Sequence, residues 1–213
     1  MNLTMYSTPL TQRIDRTRTG RRLRTGSAYQ SESILRVLES VERETGDLSL
    51  RQSLHFTPGV VERIERELIL GCAVVADSNI ISAGLDAGAA ARLSLQPQCF
   101  MDDPAVVGLA AQRRVTRAEV AVEQALSLAG PKLLIVGSAP MALSRLMQLN
   151  QRAPLREVVV IAAASGFANV VELKERLWES GLPCIVARGR RGGAGAAIAL
   201  TNALLAGAAA QTP

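Results

Sequence analysis

The sequence predicts an α/β fold, a three-layer sandwich on a mostly parallel, doubly wound sheet of five strands. Three observations carry that prediction. The runs Lys132–Gly137 (KLLIVG), Glu157–Ala162 (EVVVIA) and Pro183–Arg188 (PCIVAR) are almost wholly apolar, as strands covered on both faces must be. Segments of helical periodicity lie between them. Each run ends in a turn bearing Gly or a polar residue, and the alternation is that of successive βαβ units.

Taken in order, residues 1–29 form a basic arm, and residues 30–213 a single α/β domain. The arm holds Arg13, Arg16, Arg18, Arg21, Arg22 and Arg24 against Asp15, which accounts for the whole formal charge of +5. The body is therefore electrically balanced. In Ser31–Thr45, Ile34, Leu35, Leu38 and Val41 share one stripe; Ser31 or Ser33 caps the helix and Gly46 stops it. A second amphipathic helix follows Thr57-Pro58, with Thr as cap and Pro in the first turn, and runs to Gly71. Cys72–Asp77 (CAVVAD) reads as the first parallel strand and Gln98–Met101 (QCFM) as a weaker one. Helices follow near Thr116–Ala129, Ala139–Leu149, Phe167–Ser180 and Gly193–Leu205.

Composition narrows the function. Only 3% of residues are aromatic, too few for base-stacking platforms, so nucleic acid is not an expected partner. The most apolar stretch, Gly193–Ala210, is rich in Gly and Ala and carries Thr201 and Asn202, which suits a packed helix and not a membrane span. Cys72, Cys99 and Cys184 are odd in number and set in apolar runs, as expected of reduced, buried thiols in a cytoplasmic protein. With one histidine, His55, no His-rich metal site is expected.

Ligands of such sheets bind beyond the carboxyl ends of the strands. There the sequence places Asp77-Ser78-Asn79, Gly137-Ser138-Ala139-Pro140, Ala164-Ser165-Gly166-Phe167 and Arg188-Gly189-Arg190-Arg191-Gly192-Gly193. Exposed amides, helix dipoles and guanidinium groups on one rim make a site for carboxylate or phosphate. GRRGGAG matches neither GxGxxG nor GxxxxGK[ST], so a polycarboxylate fits at least as well as a nucleotide. Arg117 begins a helix behind Thr116 and is either a ligand residue or part of a surface cluster. His55 is the one side chain whose ordinary pKa suits proton transfer near neutrality; the alternative is an ordinary structural histidine.

FTP followed by a helix, a Gly-containing link into VVAD, then VGSAP, SGFANVVELK and RGRRGG, in this order and spacing, resemble the precorrin-8X methylmutase family over about Ser31 to Leu205. The resemblance implies a homodimer with its site near the subunit interface, and a methyl migration from C11 to C12 of a corrinoid bearing many carboxylates. It implies no cofactor and no metal. It places Arg117, Ser138, Gly166, Phe167, Arg188, Arg190, Gly192 and Gly193 on substrate-binding motifs. The family's proton-donating histidine stands three residues before the glycine ending the first helix; here that position is Arg43, whose guanidinium can stabilise negative charge but not act as an acid near neutral pH. Arg43 and His55 are thus the catalytic candidates. A homologue that binds or delivers a corrinoid without turnover is the alternative reading.

Overall fold

The computed structural model describes residues 31–212. The arm expected over residues 1–29 lies outside the described residues. Helix α1 (Glu32–Thr45) begins at Ser31, whose hydroxyl accepts from Ile34 N, and ends at Gly46 in the left-handed region (φ 65°). Asp47 caps the short α2 (Leu48–Ser53) by accepting from Ser49 N and Leu50 N. Next come β1 (Leu54–Phe56), α3 (Val60–Leu70) and β2 (Ala73–Ala76), then α4 (Asn79–Gly84), α5 (Ala87–Arg92) and α6 (Pro104–Arg113). Helix α7 (Arg117–Ser127) opens on a full capping box between Thr116 and Glu119. The chain closes with β3 (Lys132–Val136), α8 (Met141–Arg152), β4 (Val158–Ala162), α9 (Ala168–Glu179), β5 (Cys184–Ala187) and α10 (Ala194–Ala209).

The sheet order is β1-β5-β4-β3-β2, with β2 to β5 parallel and β1 antiparallel to β5. The four parallel strands therefore stand in chain order, and their carboxyl ends share one edge. Helices α7, α8 and α9 cover one face through Ala118, Val122, Leu143, Leu146 and Leu177. The other face is covered by α1, α3 and α10, with α4 and α5 beside them. Alternate strand residues feed the two layers: Leu134 and Val136 one way, Leu133 and Ile135 the other. The three-layer, mostly parallel sandwich is as the sequence predicts.

Two local expectations are corrected. Gln98–Met101 is not a strand: Gln98 makes one isolated bridge to Val75, and Phe100 and Met101 serve as packing groups under α7. The fifth strand is β1, whose three residues Leu54-His55-Phe56 pair with Ala187, Val186 and Ile185. Thr57 does not cap α3, whose N-cap is Gly59. Its hydroxyl instead accepts from Cys184 N (2.9 Å) and donates to Cys184 O (3.1 Å), latching the edge strand to β5. Among the described residues no helix is long and apolar enough to cross a membrane. Burial pushes the Cys72 and Cys184 thiols up to about 12, so they are inert packing groups.

Candidate functional site: the carboxyl edge of the sheet

Three loops meet where β3, β4 and β5 end. Gly193 N donates to Ala163 O (2.5 Å) and Gly166 N to Arg190 O (3.3 Å), stitching the β4–α9 loop to the β5–α10 loop. The β3–α8 turn abuts them: a Cβ on Gly137 would lie 3.2 Å from Gly193 O and 2.7 Å from the Ala197 methyl. Gly166, Gly192 and Gly193 are thus brought together as expected. Gly192 permits the closest approach, since a Cβ there would fall 1.9 Å from Ala163 O at φ 137°.

Two buried charged groups hold these loops: Asp77, which the sequence places on the rim without a role, and Lys174, which it does not single out. Asp77, at the end of β2, accepts from Ser138 N (2.8 Å) and Ala139 N (2.5 Å) through Oδ2, and so shapes the turn after β3. Desolvation raises its carboxyl above the ordinary range, with the amides pulling it back down. Lys174 on α9 is fully buried, and its ammonium donates to Ala164 O (2.8 Å) and Arg191 O (3.1 Å). Burial pushes it down to about 8, the Glu175 carboxylate pulling the other way. Sequence offers one signal for Lys174: it follows an apolar helix face as the only lysine of α9, and the chain holds two lysines in all.

The remaining named residues distribute along this edge or away from it. Ser138 Oγ lies 3.2 Å from Ser78 Oγ. Asn79 Nδ2 donates to Asp102 (2.6 Å), and Asp102 also pairs with Arg117 (2.8 Å), so that Arg117 reaches the rim already neutralised. Phe167 is 79% exposed, and Ile80 and Met141 are exposed likewise, each at the start of a helix that follows a parallel strand (α9, α4 and α8), so that they make the apolar crest of this edge. Arg190 is exposed and makes no ion pair among the described residues.

Arg188 turns off the rim. It forms a two-pronged pair with Glu175 and stacks 6.0 Å from the Trp178 ring. Strand alternation explains this, because Arg188 follows Cys184 and Val186 onto the α9 face. His55 joins the same group, its ring edge-on to Trp178 with centroids 5.7 Å apart. Desolvation, then the Arg188 charge, holds its imidazole below 6.5, so the ring is neutral at pH 7. Arg43 belongs to neither cluster. It is exposed, donates to Ser40 Oγ (3.3 Å) and lines the seam between α1 and α10. Its neighbours Glu44 and Thr45 border an open groove of about 430 Å³ that reaches Gly192 and the first turns of α10. Arg191 closes on Asp47 at 3.4 Å beside it.

The arrangement can receive an anion at the glycine loops and an apolar surface on the crest. Because Asp102 occupies Arg117, Asp102→Asn is expected to tighten binding of a carboxylate ligand several-fold. A product titration followed by absorbance measures this; unchanged affinity would show that Arg117 does not contact the ligand.

Comparison with known proteins shows what the chain as a whole is similar to. The family model CbiC, precorrin-8X methylmutase, matches residues 21–207. The cobalt-precorrin-8 methylmutase of Salmonella typhimurium is 31% identical over 170 residues, 79% of each chain. The precorrin-8X methylmutase of Pseudomonas aeruginosa is 29% identical over 164 residues, 75% of this chain and 77% of that one. The crystal structure of precorrin-8X methyl mutase from Thermus thermophilus superimposes with a TM-score of 0.76 at 26% identity, covering 86% of this chain and 91% of that one. The carboxyl-edge rim therefore sits in a chain that belongs to the precorrin-8X methylmutase family.

Proposed function

We propose that this protein isomerises precorrin-8X, metal-free or cobalt-bearing, by moving the methyl group from C11 to C12. The observation that carries the reading is the juxtaposition, in a chain of this family, of an apolar crest with a rim of amides and guanidinium groups. A corrinoid presents the same two chemistries, an apolar ring fringed by carboxylates. Ile80, Met141 and Phe167 take the ring, and Ser138, Gly166, Gly192, Gly193, Arg190 and Arg117 take the fringe. Arg188, held by Glu175, stiffens the start of the β5–α10 loop from below.

The conversion is balanced within the substrate. The C11–methyl bond breaks, the C12–methyl bond forms with the same electron pair, and a proton borrowed to promote the shift is returned. The protein's part is to orient the ring, exclude water and supply that proton. Arg43 can only stabilise negative charge. His55 is the one imidazole, and its lowered pKa makes a His55-driven rate fall as pH rises through its titration, below the usual histidine range.

The decisive assay mixes purified protein with precorrin-8X and follows the absorbance change of methyl migration. Turnover supports the reading, and product binding without turnover would assign a carrier. His55 stands with Arg188 and Trp178 off the rim, so His55→Gln decides its role: loss of turnover with product affinity intact would make it the proton donor, and unchanged turnover would assign the proton to the substrate or to another acid. The same reading makes the protein a cytoplasmic homodimer, which sedimentation of the full chain tests.

A further inference from the structure

We propose that Lys174 is the positioning residue of the rim, turning the Ser165 and Gly192 amides toward a substrate carboxylate. This rests on the reading of the rim as the corrinoid site. Among the described residues Lys174 is the largest fully buried side chain, and its ammonium hydrogen-bonds two backbone carbonyls and no carboxylate. The only acid that influences it strongly, its neighbour Glu175, is committed to Arg188. A lone buried cation loses its hydration on folding, and two neutral carbonyls replace it only in part. A methylene chain would fill the same space at less cost, so the charge calls for a function.

The two carbonyls supply it. In a planar trans peptide the C=O and the following N–H point in opposite directions. Ala164 O and Arg191 O are drawn inward to Lys174 Nζ. The N–H groups of the same two peptide units, Ser165 and Gly192, are thereby aimed away from the interior. Neither amide donates to any acceptor among the described residues, although the next amide along each loop, Gly166 N and Gly193 N, is paired. Ser165 is exposed and Gly192 half-buried beside the open groove. The stitches at Gly193 N–Ala163 O and Gly166 N–Arg190 O fix the two loops side by side. Lys174 thus prepares two unpaired, outward-facing donors on adjoining loops with a positive charge beneath them, the arrangement that recognises a carboxylate. Lys174 itself touches no ligand.

The test uses the full chain, precorrin-8X as substrate and hydrogenobyrinic acid as product probe. In ¹⁵N-labelled wild type the Ser165 and Gly192 amide resonances are expected to move downfield on adding product. In Lys174→Met the KM for precorrin-8X is expected to rise about tenfold, with kcat changed less than about threefold, because two charge-supported donors lose their orientation. Lys174→Gln keeps a carboxamide donor and is expected to fall between the two. Should the Met variant not fold, the Gln variant and the wild-type spectra decide. Unmoved Ser165 and Gly192 resonances in a product-bound wild type, or a folded Met variant with wild-type KM, would overturn the proposal. A wild type that neither binds product nor turns over precorrin-8X brings down the functional reading first, and this inference with it.

Discussion

Gly192→Ala is expected to abolish corrinoid binding and to destabilise the fold by roughly 3 kcal/mol or more. The new methyl would lie 1.9 Å from Ala163 O, 2.8 Å from Ala163 C and 3.3 Å from Ala164 C. All three are backbone atoms, so no side chain can swing aside. Ala163 is wholly buried behind β4 and accepts from Gly193 N, which leaves it nowhere to retreat. The position also holds φ at 137°, a region that L side chains rarely adopt. Relief therefore requires parting the two loops, which would break the stitches that hold the rim together. Gly195→Ala supplies the control. It lies three residues on, in the first turn of α10, with nothing within 4 Å of its would-be Cβ. Alanine there should leave binding unchanged and stabilise the helix slightly, by up to about 1 kcal/mol. Thermal unfolding and a product titration on the two variants separate these outcomes. Wild-type affinity in Gly192→Ala would mean that the rim opens without consequence and is not the site.

The parts of this fold legible in the sequence are those whose burial is local. Strands β3, β4 and β5 read clearly because residues such as Leu133 and Leu134 face opposite layers that are both apolar. The caps Gly46 and Thr116, and the first helix's cap to within Ser31 or Ser33, read from sequence because a cap acts within one turn. Strand β1 did not, since three residues at a sheet edge carry no period, and its stability comes from Thr57 and β5, 127 residues away. Gln98–Met101 misled for the converse reason: its apolar side chains pack beneath a helix without joining the ladder.

In the candidate site, the glycine loops were visible because their composition is special. The contacts that fix them were not. Asp77 and Lys174 act on backbone atoms far along the chain or across loops, and no spacing rule connects Asp77 with Ala139, 62 residues on. Arg188 was legible in principle, because the alternation along PCIVAR already puts it on the side of Cys184 and Val186. Reading the loop as one cationic cluster obscured that alternation.

Asp77→Ala is expected to cost about 2–4 kcal/mol and to weaken product binding, because it strips the acceptor from Ser138 N and Ala139 N at once. Asp77→Asn should behave differently. Both amides meet one oxygen, Oδ2, and a carboxamide oxygen in its place can accept both. The other carboxyl oxygen, Oδ1, is buried without a partner, so wild type gains nothing there from its charge. The Asn variant is therefore expected to lie within about 1 kcal/mol of wild type at pH 7. Its distinguishing mark is pH dependence. Burial raises the folded Asp77 carboxyl above 3.8, so the folded chain holds this proton more tightly than the unfolded one. Ionisation then costs stability as pH rises from about 3.8 through the raised folded value, and acidification returns it. Wild type should accordingly gain on Asp77→Asn when the pH is lowered from 7 toward 4, measured as the difference between their denaturation midpoints. A wild type that loses ground instead would mean that the Ser138 and Ala139 amides outweigh burial. Asp77 would then be an ordinary ionised anchor of the turn, and the midpoint difference would reverse its slope.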